Sequence, residues 1–182
     1  MQKLLIIIST LMVLSSCTTT KEAKSSRIEL RKNKKIAEQA VIKQAVESRR
    51  FIIKLNKIFL SHGGIVDLLP RANYIIIDGE KAIISAAYLG SQYEIKPIAG
   101  INMRGIAMNY ELTNNLSKGM YEIKMEVTHG GTRSFDVYLN ISKNGTCRAS
   151  VSSLKIDYMS YSGYVVAIED NANNTLQNGD EI

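Results

Sequence analysis

Apolar and polar residues alternate along much of the chain beyond residue 50. Between Tyr121 and Val127 the apolar residues fall on one face of an extended chain and three charged residues on the other. The run from Phe135 to Ile141 alternates in the same way, and so do Met108, Tyr110 and Leu112. This period of two predicts antiparallel strands with one face in solvent.

Two dipeptides predict tight hairpins between such strands. Asp78-Gly79 separates "NYIII" from "EKAIISAAY", and Asn144-Gly145 separates "FDVYLNIS" from "TCRASVS". Both dipeptides tolerate the positive φ angles that two-residue hairpin turns require.

Three segments are apolar on both faces and therefore need cover on both sides: Ile75 to Ile77, Ala82 to Ala87 and Tyr164 to Ile168. A long helix is one source of that cover, and a second subunit is the rival source.

The residues from Arg27 to Arg50 predict that helix. Arg49 and Arg50 suit its C-terminal end, where the helix dipole favours positive charge. We therefore expect an α+β, mainly β fold, in which an antiparallel β-sheet or sandwich-like domain follows one long, basic, amphipathic N-terminal helix. The predicted apolar stripe of the helix comprises Ile36, Ala37, Ala40, Val41, Ala45 and Val46.

The N-terminus has the pattern of a signal peptide. Lys3 precedes an apolar core from Leu4 to Leu14, which is too short to span a membrane as a helix. The following Leu-Ser-Ser-Cys resembles the lipobox of bacterial lipoproteins, which implies cleavage before Cys17 and acylation, including palmitate, at that residue. An ordinary signal peptide with an incidental cysteine is the alternative.

Lipid on Cys17 would attach the mature protein to a membrane, because several acyl chains together hold a protein stably. Thr18 stands where an Asp would favour retention in the inner membrane of some Gram-negative bacteria. We therefore expect an outer-membrane lipoprotein of the cell envelope on the periplasmic face.

The net charge of +6 is concentrated near the N-terminus. Residues 21–50 hold ten Lys/Arg and four Asp/Glu, a net of +6, whereas residues 51–182 hold twelve and thirteen, a net of −1. A nucleic-acid-binding domain needs positive charge on its folded surface. We therefore expect no nucleic-acid partner, and anionic head groups are a possible contact for the basic helix.

The sequence offers little catalytic chemistry. In an extended strand Cys147 lies on the same face as Ala149 and Val151, which indicates that it is a small core residue. His62 and His129 each precede two glycines, but no metal-ligand spacing or nucleophile motif accompanies them. We expect no cofactor, no metal site and no catalytic residue.

Tyrosines form one local cluster near the C-terminus. Tyr158, Tyr161 and Tyr164 lie close to a Ser-Gly turn. Tyrosine suits interfaces because it has an apolar body and a polar tip. The cluster predicts either strand-edge packing or an interaction surface.

Several runs together resemble the domain-of-unknown-function family 4251. They are "RANYIIIDGEKAIISAAYLG", "GINMRGIAMNYELTNNLSKGMYEIKMEV", "RSFDVYLNISKNGTCRASVSS" and "YSGYVV". The resemblance covers about Ser48 to Ile168. It implies a β-rich fold and a small exported or lipid-anchored envelope protein of Gram-negative bacteria, and it supplies no functional residue.

These observations favour a non-enzymatic binding or interaction module whose partner is an envelope protein, a glycan or the cell wall. The alternatives are an enzyme with an unrecognised site and a structural homo-oligomer. The expected organisation is a signal peptide at 1–16, a tether at 17–26, the helix at 27–50, a β-rich domain at 51–168 and a disordered tail at 169–182.

Overall fold

The computed structural model describes residues 19–61, 63–88, 99–131, 133–154 and 156–168. The predicted signal peptide, Cys17 and the tail from residue 169 lie outside them. The described residues form one helix and nine strands: α1 (Thr19–Glu47), β1 (Arg50–Phe59), β2 (Ile65–Asp67), β3 (Tyr74–Asp78), β4 (Lys81–Tyr88), β5 (Ala99–Asn115), β6 (Met120–His129), β7 (Arg133–Ser142), β8 (Thr146–Ser153) and β9 (Ile156–Ala167).

The sheet closes on itself. Its order is β1-β3-β4-β5-β6-β7-β8-β9, every neighbouring pair is antiparallel, and β9 pairs with β1 from Phe51↔Ala167 to Phe59↔Ser160. The short strand β2 pairs with the end of β1. The fold is therefore mainly β with one helix, as expected, but the sandwich-like arrangement was wrong, because eight strands form a closed antiparallel barrel.

Alternating side chains fill the barrel. The predicted inner faces of β6 and β7 are confirmed, since Tyr121, Ile123, Met125, Val127, Val137, Leu139 and Ile141 are all buried. Both predicted hairpins are confirmed as well, with Gly79 at φ 63° and Gly145 at φ 85° in the β3–β4 and β7–β8 turns. Local pattern and turn chemistry together place these five strands, β3, β4, β6, β7 and β8.

The predicted common face of Met108, Tyr110 and Leu112 was wrong. The pairing of β5 with β6 shifts register between Met108 and Glu111, and Asn109 at this bulge has a φ of 52°. A β-bulge places one extra residue on one strand and so reverses the alternation beyond it. Met108 is exposed, whereas Tyr110 and Leu112 pack against the core.

Helix α1 begins at Thr19 and ends at Glu47. It therefore includes most of the segment predicted as a tether, and it stops before the two arginines that were predicted to end it. Arg49 has a left-handed φ of 55°, which ends the helical conformation, and Arg50 is the first residue of β1. No helix within the described residues is long and apolar enough to cross a membrane.

The buried face of α1 differs from the predicted stripe. The chain divides into two compact units, residues 1–38 and 39–182, and the last turns of α1 belong to the second unit. Ile42, Ala45 and Val46 join the barrel core there, whereas Ile36 and Val41 are exposed. Their i, i+3, i+4 spacing is the standard pattern of a buried helix face.

The last turns of α1 pack against one end of the barrel. A Cβ atom at Gly145, in the β7–β8 turn, would lie 3.1 Å from Cδ1 of Ile42. The barrel interior thus covers the inner side of the two-sided apolar strands. On the outside, Val166, Ile52, Ile76 and Ile83 pair in one row across β9, β1, β3 and β4.

Candidate functional site

Within the described residues, the barrel wall is incomplete beside the first residues of β5. Strand β5 has 17 residues and β6 has ten, so the two cannot pair along their full lengths. Pairing of β5 with β4 runs from Ile106 back to Ala99, but pairing with β6 begins only at Ile106↔Thr128. The segment from Ala99 to Gly105 therefore has a described strand on one side only.

A cleft of about 460 Å³ opens at this unpaired edge. Its volume lies within the range of small-ligand pockets, about 300 to 1,000 Å³. Its apolar walls are Ile101, Met103, Phe135 and Leu154, and its polar positions are Asn102, Arg133, Ser134 and Ser153. The cleft lies between the start of β5, the β6–β7 turn and the end of β8, at the opposite end of the barrel from the β7–β8 turn.

His129 lies where the pairing of β5 with β6 stops. Its Nδ1 lies 2.8 Å from the backbone oxygen of Arg104, so a side chain meets a β5 carbonyl just beyond the last ladder pair. Gly105 lies beside this contact, and a Cβ atom there would overlap the backbone oxygen of Thr128 at 2.1 Å. Close packing of these two backbones fixes the point at which β5 and β6 separate.

Positive charge marks the cleft. Arg133 is the charged side chain among the residues that line it, and within the described chain it makes no ion pair. Arg104, exposed on β5, follows the lining residues Asn102 and Met103 in sequence but does not itself line the cleft. An apolar wall beside an unpaired guanidinium favours a ligand that combines an apolar body with an anionic group.

The three tyrosines singled out from the sequence do not share a surface. Tyr158 and Tyr164 face outward with exposed fractions of 64% and 41%, whereas Tyr161 is 0% exposed inside the barrel. The hydroxyl of Tyr161 donates to the backbone oxygen of Ala87 at 2.9 Å. An interaction surface there would contain Tyr158 and Tyr164 without Tyr161.

Among the described residues, three side chains have strongly raised pKa values, and none of them lines the cleft. Burial raises the pKa of Cys147 to about 12, which makes its thiol a poor nucleophile and agrees with the predicted core position. Burial also raises the pKa of Tyr110 to about 12, against the opposing effect of nearby Arg49. The pKa of Tyr161 is raised by burial and, to a lesser extent, by Tyr88.

Of the two histidines, the structure describes only His129. His62 lies outside the described residues, and His129 makes the backbone contact described above. Among the residues that the structure describes, no group of three or more His, Cys, Asp or Glu side chains is arranged to hold a metal ion.

A second, shallower cleft lies beside the last turns of α1. It has a volume of about 270 Å³ and includes Lys43 from α1, Lys143 from the β7–β8 turn, and Tyr121. Lys43 lies 3.9 Å from Glu47, so part of the positive charge of this cleft is balanced locally. Its smaller size and its partial ion pairing make the β5 cleft the stronger candidate site.

Sequence reasoning missed the β5 cleft because its residues carry no catalytic motif. The consecutive apolar residues Ile106, Ala107 and Met108 interrupt the alternation in "AGINMRGIAMNYELTNN", so it does not predict that β5 has 17 residues where β6 has ten. A strand that outlasts its hairpin partner must end beside a third element, a ligand or solvent.

Comparison with known proteins supports the barrel. A family model described as "Domain of unknown function (DUF4251)" matches residues 33–165. The crystal structure of a DUF4251 family protein from Bacteroides eggerthii DSM 20697 is similar to this chain with a TM-score of 0.63 and 12% sequence identity, over 72% of this chain and 88% of that chain. No curated protein matches. The resemblance noted in the sequence is thereby confirmed: the chain belongs to the DUF4251 family of domains of unknown function.

Proposed function

We propose that this protein is a non-enzymatic binding module of the cell envelope, held to a membrane by lipid on Cys17, and that its ligand occupies the cleft beside β5. The cleft carries the proposal. It combines a suitable volume, an apolar wall and the guanidinium of Arg133, which has no ion pair within the described chain, while the groups with raised pKa values lie elsewhere.

The lipid anchor is supported by the sequence Leu14-Ser15-Ser16-Cys17 and by the apolar segment before it. Lysines and arginines follow the cysteine on α1, and those from Lys24 onward are exposed. Such residues are attracted to anionic lipid by about 1 kcal/mol each near a membrane surface, so they would reinforce an acyl anchor.

Site-specific crosslinking tests the binding role. A photoreactive amino acid in place of Leu154, which is fully exposed, would stand at the rim of the cleft, and the same group in place of Tyr138 would stand on the exposed outer face of β7. In intact envelopes of cells that produce the full chain, we expect a discrete adduct from position 154 and none from position 138. Equal labelling from both positions, or none from either, would contradict a ligand in the cleft.

The outer apolar row favours a second candidate, a structural homo-oligomer. Ile52, Ile76, Ile83 and Val166 form adjacent cross-strand pairs on the outside of the barrel, where Ile76 is 9% exposed and the other three are half-buried. A partly exposed apolar row that crosses four strands is a candidate contact with a second copy of the chain. Sedimentation of the purified protein tests this: a dimer that Ile83→Glu converts to monomer supports it, and a monomer at all concentrations opposes it.

A further inference from the structure

The unpaired edge of β5 presents backbone groups in a regular pattern. Neighbouring residues of a strand direct their N–H and C=O groups to opposite sides. The N–H of Ala107 donates to Glu80 on the β4 side, and the C=O of Arg104 meets His129 on the other side. Residues two and four positions before Arg104 direct their backbone groups to the same side as Arg104 does. The N–H and C=O groups of Asn102 and Gly100 therefore face the cleft.

These groups have no partner strand among the described residues. Pairing with β6 stops at Ile106, and neither Gly100 nor Asn102 makes any other hydrogen bond on that side within the described chain. The backbone of a second extended chain is the best complement to donors and acceptors that alternate along a strand edge.

The surroundings of the edge define what that chain would carry. Ile101, Met103 and Phe135 supply an apolar wall for one set of alternate side chains. Arg133, at the start of β7, supplies an unpaired positive charge at the rim. A carboxylate is the group that a guanidinium binds with two parallel hydrogen bonds.

We propose that the cleft binds an extended peptide segment with an acidic side chain, which adds to β5 as a strand by pairing with Gly100 and Asn102 and places its carboxylate on Arg133. This inference rests on the proposed binding role of the cleft and specifies its partner class. The peptide inserts where β6 is too short to continue the barrel wall.

The test begins with peptide selection. A displayed library of random seven-residue peptides is selected on the immobilised full-length mature chain, and enriched peptides are synthesised for affinity measurements. We expect enriched peptides to share an Asp or Glu next to alternating apolar residues. If no peptide is enriched, the peptide proposal is wrong, whereas the crosslink from position 154 still decides separately whether the cleft binds another ligand.

Two variants test whether the enriched peptides bind at the β5 edge. Asn102→Pro removes the N–H that faces the cleft and leaves the β4 side unchanged, so we expect affinity to fall about tenfold or more. Arg133→Gln should weaken acidic peptides several-fold and leave their amide analogues unchanged. Exposed Arg148→Gln on β8 is the matched control and should change neither.

Methylation of the peptide nitrogens keeps the proposal testable even if Asn102→Pro fails to fold. Alternate backbone nitrogens of an enriched peptide are methylated in two separate analogues. Methylation of the nitrogens that face β5 should abolish binding, and methylation of the other nitrogens should not. Binding that tolerates both sets, or that persists unchanged in Asn102→Pro and Arg133→Gln, would overturn strand addition at this edge.

Discussion

The guanidinium carbon of Arg49 lies 4.1 Å from the ring centroid of Tyr110. Arg49 links α1 to β1 with a φ of 55°, and Tyr110 follows Asn109, whose φ is 52° at the β5 bulge. The pair therefore joins Arg49, which is itself left-handed at the end of the helix, to the residue that follows a left-handed position in the barrel wall. The hydroxyl of Tyr110 is buried without a hydrogen-bond partner in the described chain.

Two substitutions at position 49 separate the stacking from the backbone strain. Arg49→Ala removes the cation–π contact but keeps a Cβ atom, so we expect the free energy of unfolding to fall by about 0.5 to 1 kcal/mol. Arg49→Gly also removes the contact but adopts a positive φ without steric cost, so it should be more stable than Arg49→Ala by about 1 kcal/mol. Urea unfolding of the three proteins measures both differences. Equal stabilities of the Ala and Gly variants would show that the backbone at this position is not strained.

Burial of Cys147 predicts a loss of stability at alkaline pH. The thiol has a pKa of 9.0 when exposed and about 12 in the fold, so over this interval the unfolded chain ionises while the folded chain stays protonated. Stability from this group is complete below pH 9 and falls as pH rises toward 12, by up to about 1.4 kcal/mol per pH unit. In Cys147→Ala this contribution is absent, so its urea midpoint should decline less steeply than that of the parent protein. Parallel declines would contradict the assignment.

The pairing of β1 with β9, which closes the barrel, depends on Gly163. A Cβ atom there would lie 2.2 Å from the backbone oxygen of Lys54 on β1, a position that cannot move without opening the β1–β9 ladder. We expect Gly163→Ala to lower the free energy of unfolding by about 3 kcal/mol or to prevent folding.

Gly100→Ala is the matched control for that substitution. Its new Cβ atom would meet only the backbone oxygen of Ala86 at 3.6 Å, an ordinary contact, so its stability should stay within about 0.5 kcal/mol of the parent. Thermal unfolding followed by circular dichroism compares the two variants. A tolerated Gly163→Ala would contradict the close β1–β9 approach.

Local pattern predicted much of the barrel but could not predict its closure. The alternation from Tyr121 to Val127 and the two Gly-containing turns specify strands and hairpins, which are interactions between neighbours in sequence. Closure depends on pairing Phe51 with Ala167, and the same alternation would serve an open sheet or a sandwich equally well. Non-local pairing is invisible to periodicity.

The candidate site was harder to predict for a related reason. The bulge at Asn109 reverses the face of β5, and no local signal in Met108 or Tyr110 announces it. The β5 edge of the cleft presents backbone groups of Gly100 and Asn102, whose chemistry is the same at every position of the chain. Only their lack of a neighbouring strand distinguishes them, and strand neighbours are a property of the fold.

Two valines on α1 test which face of the helix is buried. Val46 is 0% exposed in the barrel core, and Val41, five residues earlier, is 51% exposed. We expect Val46→Ala to lower the free energy of unfolding by about 2 kcal/mol, because it removes two buried methyl groups and leaves a cavity. Val41→Ala should change it by no more than about 0.5 kcal/mol. Chemical denaturation distinguishes the two, and similar losses would mean that both faces are packed.

Substitution of Cys17 tests the proposed lipid anchor. In cells that produce the full chain, we expect the parent protein in the membrane fraction, labelled by a clickable palmitate analogue, and Cys17→Ala in the soluble fraction without label, because the acyl chains supply the stable part of membrane attachment. Cys147→Ala changes the other cysteine of the chain and should behave like the parent. If Cys17→Ala remained in the membrane fraction at low salt and left it at high salt, the exposed lysines and arginines of α1 would hold the protein there by charge alone. If it remained at both salt concentrations, neither the lipid nor the basic helix would explain the attachment.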